Sequence, residues 1–391
     1  MKRKLLLLQF TLLLVLLAAC SKNSNITTEH QNGNKESLDN REDNKEIEIQ
    51  NGSRIEKTLS SGIIVDAKLT IPDKARLESM PVFDASLQEI PFDTIYKTFM
   101  KDKEIEHKNE EQTEDNIGNG IFKYYTTTDG CSLTYNGGVF IYYSSSRYNN
   151  INIDTKNEND DSTEYDKDFG FKMREEAGKE IQKVLSGIGI EVYEKYNCYA
   201  LDYQMLQQAN KVTENEIPDE KKSATMSEQP IWNEDLNCYL FEFFGVVNHM
   251  PITNQIREVK DSIIPATEIK VLYSQNGIEQ ITISECFNIE SEKYQSSIQG
   301  VEEALDKLDE KYNSIILEGN YYVEKIQLEY IPIETKEKGI YELIPGWRFY
   351  IIHEMSIENK EEANKTDLYR IPTQVLFNAI SGEEIQTGVG M

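Results

Sequence analysis

The stretch IFKYYTTTDGCSLTYNGGVFIYY, residues 121–143, constrains the fold more than any other part of this chain. Its three runs are rich in aromatic and β-branched residues, which suit a pleated, half-buried surface. Asp129-Gly130 and Asn136-Gly137-Gly138 separate the runs. Glycine and asparagine tolerate the positive φ angles of tight hairpin turns, so the pattern predicts a three-stranded antiparallel meander.

Other segments extend this reading. Val65, Ala67, Leu69 and Ile71 alternate with Asp66, Lys68 and Thr70 and predict a half-buried strand over 63–71, stopped by Pro72. Phe92, Ile95, Tyr96 and Phe99 recur at helical spacing. Met173, Ala177, Ile181, Val184 and Leu185 mark a second helix, ended by Gly187, and residues 199–209 read as a third. A strand is expected near 238–247, then a hairpin turning at Asn276-Gly277 between runs 269–273 and 278–287. Ile298, Val301, Leu305, Leu308 and Tyr312 form the apolar stripe of the clearest helix. Three long strands follow at 321–333, 340–354 and 368–378. Tyr322, Ile326, Leu328 and Tyr330 are expected to share one face, as are Trp347, Phe349 and Ile351. The expected class is α+β, antiparallel meanders packed with a few amphipathic helices, with no β-α-β rhythm demanding a parallel sheet. The polar stretch KVTENEIPDEKKSATMSEQP reads as a linker, which gives an N-terminal domain over 54–210, a linker over 211–230 and a C-terminal domain over 231–391.

The N-terminus carries Lys2, Arg3 and Lys4 followed by the apolar run Leu5 to Leu17. That run is shorter than the roughly 20 residues a spanning helix needs, which points to a secretion signal. It ends at Leu17-Ala18-Ala19-Cys20, which resembles the lipobox of bacterial lipoproteins. The resemblance implies a signal peptide over 1–19, cleavage before Cys20 and acylation of that cysteine. Two or three acyl chains, at about 0.8 kcal/mol per buried methylene, anchor a protein to a membrane where one does not. Residues 20–53 are dominated by Asn, Glu, Lys, Ser and Asp, and read as a disordered tether.

The chain has a formal net charge of −27, and losing the signal would make it three units more negative. This opposes binding to phosphate backbones and excludes nucleic acid as a partner. Cys131, Cys198, Cys238 and Cys286 show no C-x-x-C spacing, and both disulfides and free buried thiols are compatible with an extracytoplasmic chain. His30 falls in the tether and His107 in a charged stretch, while His249 sits at a strand end. His353-Glu354 lacks the second histidine of the zinc-protease pattern, since Ile357 stands there. Asn157, Asn159 and Asp161 open a calcium-loop-like run, but Ser162 replaces the turn glycine and Asp168 the bidentate glutamate. No nucleophile elbow, phosphate loop or dinucleotide fingerprint is present. No catalytic residue, metal ligand or cofactor is expected, and Cys20 is the single site residue assigned.

The last ninety residues carry V-E-E-A-L (Val301 to Leu305), Y-E-L-I-P-G-W-R-F-Y (Tyr341 to Tyr350) and L-F-N-A-I-S-G-E-E-I (Leu376 to Ile385). Together they resemble a PepSY-type module from about residue 297, and are similar to the C-terminal part of YycH/YycI-type regulatory proteins. The whole chain also resembles lipoproteins of low-GC Gram-positive bacteria. The resemblance implies a helix packed on an antiparallel sheet and a non-enzymatic role in inhibition, chaperoning or regulation. The expected function is that of a membrane-anchored extracytoplasmic lipoprotein binding a protein or peptide. The alternatives are a solute-binding lipoprotein of a transporter and an envelope hydrolase.

Overall fold

The computed structural model describes residues 51–112, 120–148, 151, 153, 165–216, 230–259, 262–358 and 366–386. The described elements begin with β1 (Arg54–Thr58), β2 (Ile64–Thr70) and β3 (Met80–Leu87), then helix α1 (Phe92–Phe99). Strands β4 (Ile105–Gln112), β5 (Ile121–Thr127), β6 (Ser132–Asn136) and β7 (Val139–Tyr143) follow. Next come α2 (Arg174–Gly187), β8 (Asn197–Leu201), α3 (Tyr203–Glu216) and β9 (Cys238–Phe243). Two small hairpins, β10 (Val246–Val247) with β11 (Met250–Pro251) and β12 (Arg257–Val259) with β13 (Ser262–Ile264), precede β14 (Glu268–Ser274) and β15 (Gly277–Ser284). The chain closes with β16 (Phe287–Ser296), α4 (Val301–Asn313), β17 (Asn320–Glu334), β18 (Ile340–Glu358), β19 (Thr366–Asn378) and β20 (Glu384–Ile385). The class is α+β.

Two eight-stranded sheets organise these elements. A terminal sheet runs β1-β2-β17-β18-β19-β20, with β3 and β16 joined to it where β3 pairs the start of β18. An inserted sheet runs β4-β5-β6-β7-β15-β14-β9-β8, antiparallel throughout. The sheets therefore do not follow the division expected at 211–230. β1 to β3 join the C-terminal strands, while β9, β14 and β15 join strands from the first half. The physical reason is the β3–β16 ladder, Phe287 opposite Leu87 through Ser296 opposite Met80, which brackets the intervening segment. Of the expected linker, 211–216 belongs to α3 and 217–229 lies outside the described residues. Within the bracketed segment, Val247, Met250, Ile252 and Ile264 reach back into the core of the terminal sheet.

Several local expectations are met because side-chain pattern and burial agree. Val65, Ala67 and Leu69 on β2 are fully buried while Asp66 and Lys68 are exposed. The meander forms as β5, β6 and β7, turning at Gly130 and Gly137, both with positive φ. Helix α4 buries Val301, Ala304, Leu305, Leu308 and Tyr312 against one face of the terminal sheet. On that face lie Trp347, Phe349 and Ile351, and Trp347 Nε1 donates to Gln299 O at 2.9 Å. Helices α1 and α2 pack Ile95, Ala177, Ile181 and Leu185 on the inner face of the inserted sheet, and α3 packs Leu206 on its outer face.

Other expectations change. A register shift between Val323 and Lys325 puts Val323, not Tyr322, on the helix-facing side with Ile326, Leu328 and Tyr330. β2 and β17 pair in parallel, since the two strands come from opposite ends of the chain and need no βαβ crossover. Residues 199–201 extend β8 rather than a helix; Asp202 then caps α3, its Oδ1 accepting from Gln204 N at 3.0 Å and Met205 N at 2.9 Å. The strand expected over 278–287 breaks at Glu285, whose φ is 55°. Met173 lies outside the helical face, 53% exposed at the N-cap of α2.

Gly346 in β18 pairs with Glu329 on one side and Asn378 on the other. A Cβ there would overlap Ile331 Cδ1 and stand 3.0 Å from Phe377 O, so only glycine lets the three strands close. Gly346→Ala is expected to lower stability by about 1–3 kcal/mol, read as a reduced midpoint in urea unfolding.

Candidate functional site

Cross-strand pairing places two rows of side chains on the outer face of the inserted sheet. One row is Tyr124, Thr134, Ile141, Thr282, Lys270, Glu242 and Asn197, from β5 across to β8. The next is Thr126, Ser132, Tyr143, Gln280, Leu272, Leu240 and Tyr199. Alternation dictates this: inward neighbours such as Tyr125, Phe140, Val271 and Ile281 fill the core, leaving their even-spaced partners on the other face. Toward β8, that outer face is covered by α3 and by Tyr148, Ile151 and Leu236. Toward β5 it is half-buried.

At the boundary between the covered and open parts lies a depression of about 190 Å³. Leu240 and Leu272 give it an apolar floor, and Gln280, Thr282, Glu268 and Ile153 line the rest. Lys270 also lines it, its Nζ 2.9 Å from Glu268 Oε1, and Glu242 beside it accepts from Asn197 Nδ2 at 3.4 Å. An apolar base ringed by a few hydrogen-bonding groups and an ion pair suits a side chain with an apolar body and a polar end.

The neighbouring end of the sheet is fixed by a buried carboxylate. Glu279, 3% exposed, accepts from Ser274 Oγ at 2.6 Å, Ser144 Oγ at 2.7 Å, Asn276 Nδ2 at 3.0 Å and Ser145 Oγ at 3.3 Å. Burial pushes this carboxyl up, but the donors from Ser274, Ser144 and Asn276, with the charge of Arg147, outweigh burial and hold it below its ordinary value. The loop from Ser144 to Arg147 thus ties the end of β7 to the β14–β15 turn.

The other residues singled out in the sequence are dispersed. Cys20, His30, Asn157, Asn159, Asp161 and Ser162 lie outside the described residues. Cys131, Cys198, Cys238 and Cys286 are all free thiols. Burial raises the thiols of Cys198 and Cys286 to about 12, which leaves them unreactive at neutral pH. His107 lies on β4, His249 sits in the β10–β11 turn with φ 63°, and the His353 ring stacks on Tyr321 at 4.2 Å. Asn378 caps the last turn, accepting from Ile380 N at 2.8 Å. Among the described residues, no group of His, Cys, Asp and Glu is placed to hold a metal ion, and no helix is long and apolar enough to cross a membrane. The depression itself escaped sequence reading, because its members come from three strands and a loop. The one available signal was the run of polar residues on alternate positions of β14 and β15.

No protein-family model matches the chain, and no curated protein matches it. A crystal structure of an uncharacterized protein from Eubacterium rectale ATCC 33656 is similar at 15% identity and a TM-score of 0.64, over 83% of this chain and 90% of that one. A share that large exceeds either sheet alone, so the likeness extends over both.

Since Glu279 has a folded pKa below its unfolded value near 4.5, its contribution is complete above that pH and is lost as pH falls through the depressed value. Glu279→Gln is expected to cost about 1–3 kcal/mol at pH 7. The gap in melting temperature between the two proteins narrows below pH 4, as measured by calorimetry.

Proposed function

We propose that this protein is an extracytoplasmic lipoprotein, held to the membrane by acyl chains on Cys20, that binds a protein or peptide partner without catalysing a reaction. The depression on the inserted sheet carries this reading. Sites that enclose a whole small molecule typically measure about 300–1,000 Å³, and at about 190 Å³ this one matches a single anchoring side chain of a larger partner.

The lipid anchor rests on the basic n-region, the short apolar run and the lipobox-like Leu17-Ala18-Ala19-Cys20. Helix α4 followed by β17, β18 and β19 has the helix-then-antiparallel-sheet order of a PepSY-type module, which supports kinship with that group for the region from about 297. A lipid anchor gives no helix contact across the bilayer, so the partner on this reading lies outside the cell.

Two measurements test the proposal. Cys20→Ser is expected to abolish incorporation of labelled palmitate and release the protein from membranes; unchanged labelling would remove the anchor. Thr282→Trp, which fills the depression from its rim, is expected to reduce chemical crosslinking to any specific partner in solubilised membranes at least tenfold while leaving the melting temperature within a few degrees. A partner retained by the Trp variant would place binding elsewhere.

A further inference from the structure

The stretch from Thr253 to Arg257 lies against β17 where that strand has run past its other neighbour. β2 pairs with β17 from Tyr322 to Gln327 and no farther. Beyond it, Ile252 bridges Tyr330 in parallel, Thr253 N donates to Tyr330 O at 2.8 Å, and Arg257 Nη2 donates to Pro332 O. Ile252 on one side of the stretch and Ile264 on the other are buried in the core of the terminal sheet. Between these fixed points the attachment is thin. Asn254 is exposed and Ile256 is 57% exposed. Among the described residues, the Thr253 bond is the only backbone bond from this stretch to the sheet.

The stretch also carries unmet polar groups. Arg257 Nε and Gln255 Oε1 are both buried and have no hydrogen-bond partner. Among the described residues only Ser61 Oγ and Asn136 Oδ1 share that state. Charge adds to the cost. Arg257, Arg348 and Glu329 are all enclosed, yet Glu329 is the carboxylate that Arg348 pairs with, at 3.4 Å. One carboxylate therefore answers two guanidiniums. Burial depresses the Arg257 pKa and Glu329 opposes this only in part. A buried charge short of partners is costly, and returning it to water removes that cost. Arg348 is placed differently: when the stretch leaves, it keeps Glu329 and Gln374, both on the sheet.

We infer that Thr253 to Arg257 form a latch that lifts off β17, carrying Arg257 into water, while Ile252 and Ile264 stay in the core and both sheets remain folded. Local openings of this kind draw on segments with few backbone bonds and few buried contacts. Opening bares β17 from Tyr330 to Glu334 and uncovers the Arg348–Glu329 pair. The cost of enclosing Arg257 drives the opening; the Thr253 bond and the contact from Arg348 Nη1 to Asn254 Oδ1, at 3.1 Å, oppose it. The inference goes beyond the proposed function, because it concerns the terminal sheet and needs no partner.

The test is residue-resolved hydrogen exchange on the full chain in detergent, read at the Thr253 amide, which is hydrogen-bonded in a residue of 0% exposure. That amide is expected to exchange roughly tenfold or more faster than those of the β17–β18 ladder. Arg257→Met, which removes the buried charge, is expected to slow Thr253 exchange roughly tenfold without lowering the melting temperature. Asn254→Ala, which removes the tie to Arg348, is expected to speed it roughly tenfold and leave the ladder amides unchanged. Exchange at Thr253 as slow as in the ladder shows that the stretch opens only with global unfolding and overturns the inference. So does an Arg257→Met protein that exchanges faster at Thr253, melts lower or fails to fold, because the arginine then fastens the stretch. An Asn254→Ala protein with unchanged Thr253 exchange overturns it as well.

Discussion

The architecture depends on one long-range pairing. β3 and β16 are joined over eight positions although nearly two hundred residues separate them, and Gln88 N donates to Cys286 O at 2.7 Å where the bracket closes. Closing a loop of that length costs on the order of 5 kcal/mol of chain entropy. The ladder alone does not offset this. The burial of Val82, Met80 and Ala85, fully enclosed in the terminal sheet, supplies the apolar contribution, at about 25 cal/mol per Å² of apolar surface removed from water. Once closed, the bracket allows the inserted sheet to be a self-contained meander while the ends of the chain complete the other sheet.

Buried polar groups fix how the connecting segment crosses between the sheets. On the terminal sheet, Arg348 and Glu329 are both fully enclosed, with Arg348 Nη1 3.4 Å from Glu329 Oε1 and 3.1 Å from Asn254 Oδ1. Arg348 Nε donates to Gln374 Oε1 at 2.7 Å, so β17, β18, β19 and the 253–257 segment meet at one guanidinium. Arg257, buried beside β17, donates to Pro332 O; burial lowers its pKa to about 10, partly opposed by Glu329. Such groups are costly to bury unless each finds its partners, and that cost disfavours a slipped register. Glu279 plays the corresponding part in the inserted sheet.

Where a single strand or helix buries one face, the sequence was legible. β2, the 121–143 meander and α4 each show their burial as a period of two or of 3.6. The strands that escaped notice are those without that period. β4 reads IEHKNEEQ because it is an edge strand, where charge discourages unwanted pairing. β16 reads FNIESEKYQS and is exposed along most of its length, so it is a strand by virtue of β3 rather than of its own side chains. The Asn248-His249 turn, with both residues at positive φ, joins two strands of only two residues each, too short for any alternation to register. The shift that turns Tyr322 away from the core follows from a bulge that no periodicity announces. The depression could not be read from the chain, because it is a property of which strands become neighbours.

Interleaving has a kinetic consequence for a chain made from its N-terminus. β2 and β3 emerge early, yet their partners β17 and β16 come more than two hundred residues later. The inserted sheet has no such delay, since every one of its strands lies between those two groups. It is therefore the part able to fold first during synthesis. Throughout that interval Val65, Ala67 and Leu69 have only the β1–β2 hairpin, without β17 beside them or α4 to cover them. The slow step in maturation is then the docking of the two ends onto each other, a high-contact-order event in which the oldest stretch of the polypeptide is the last to find its place.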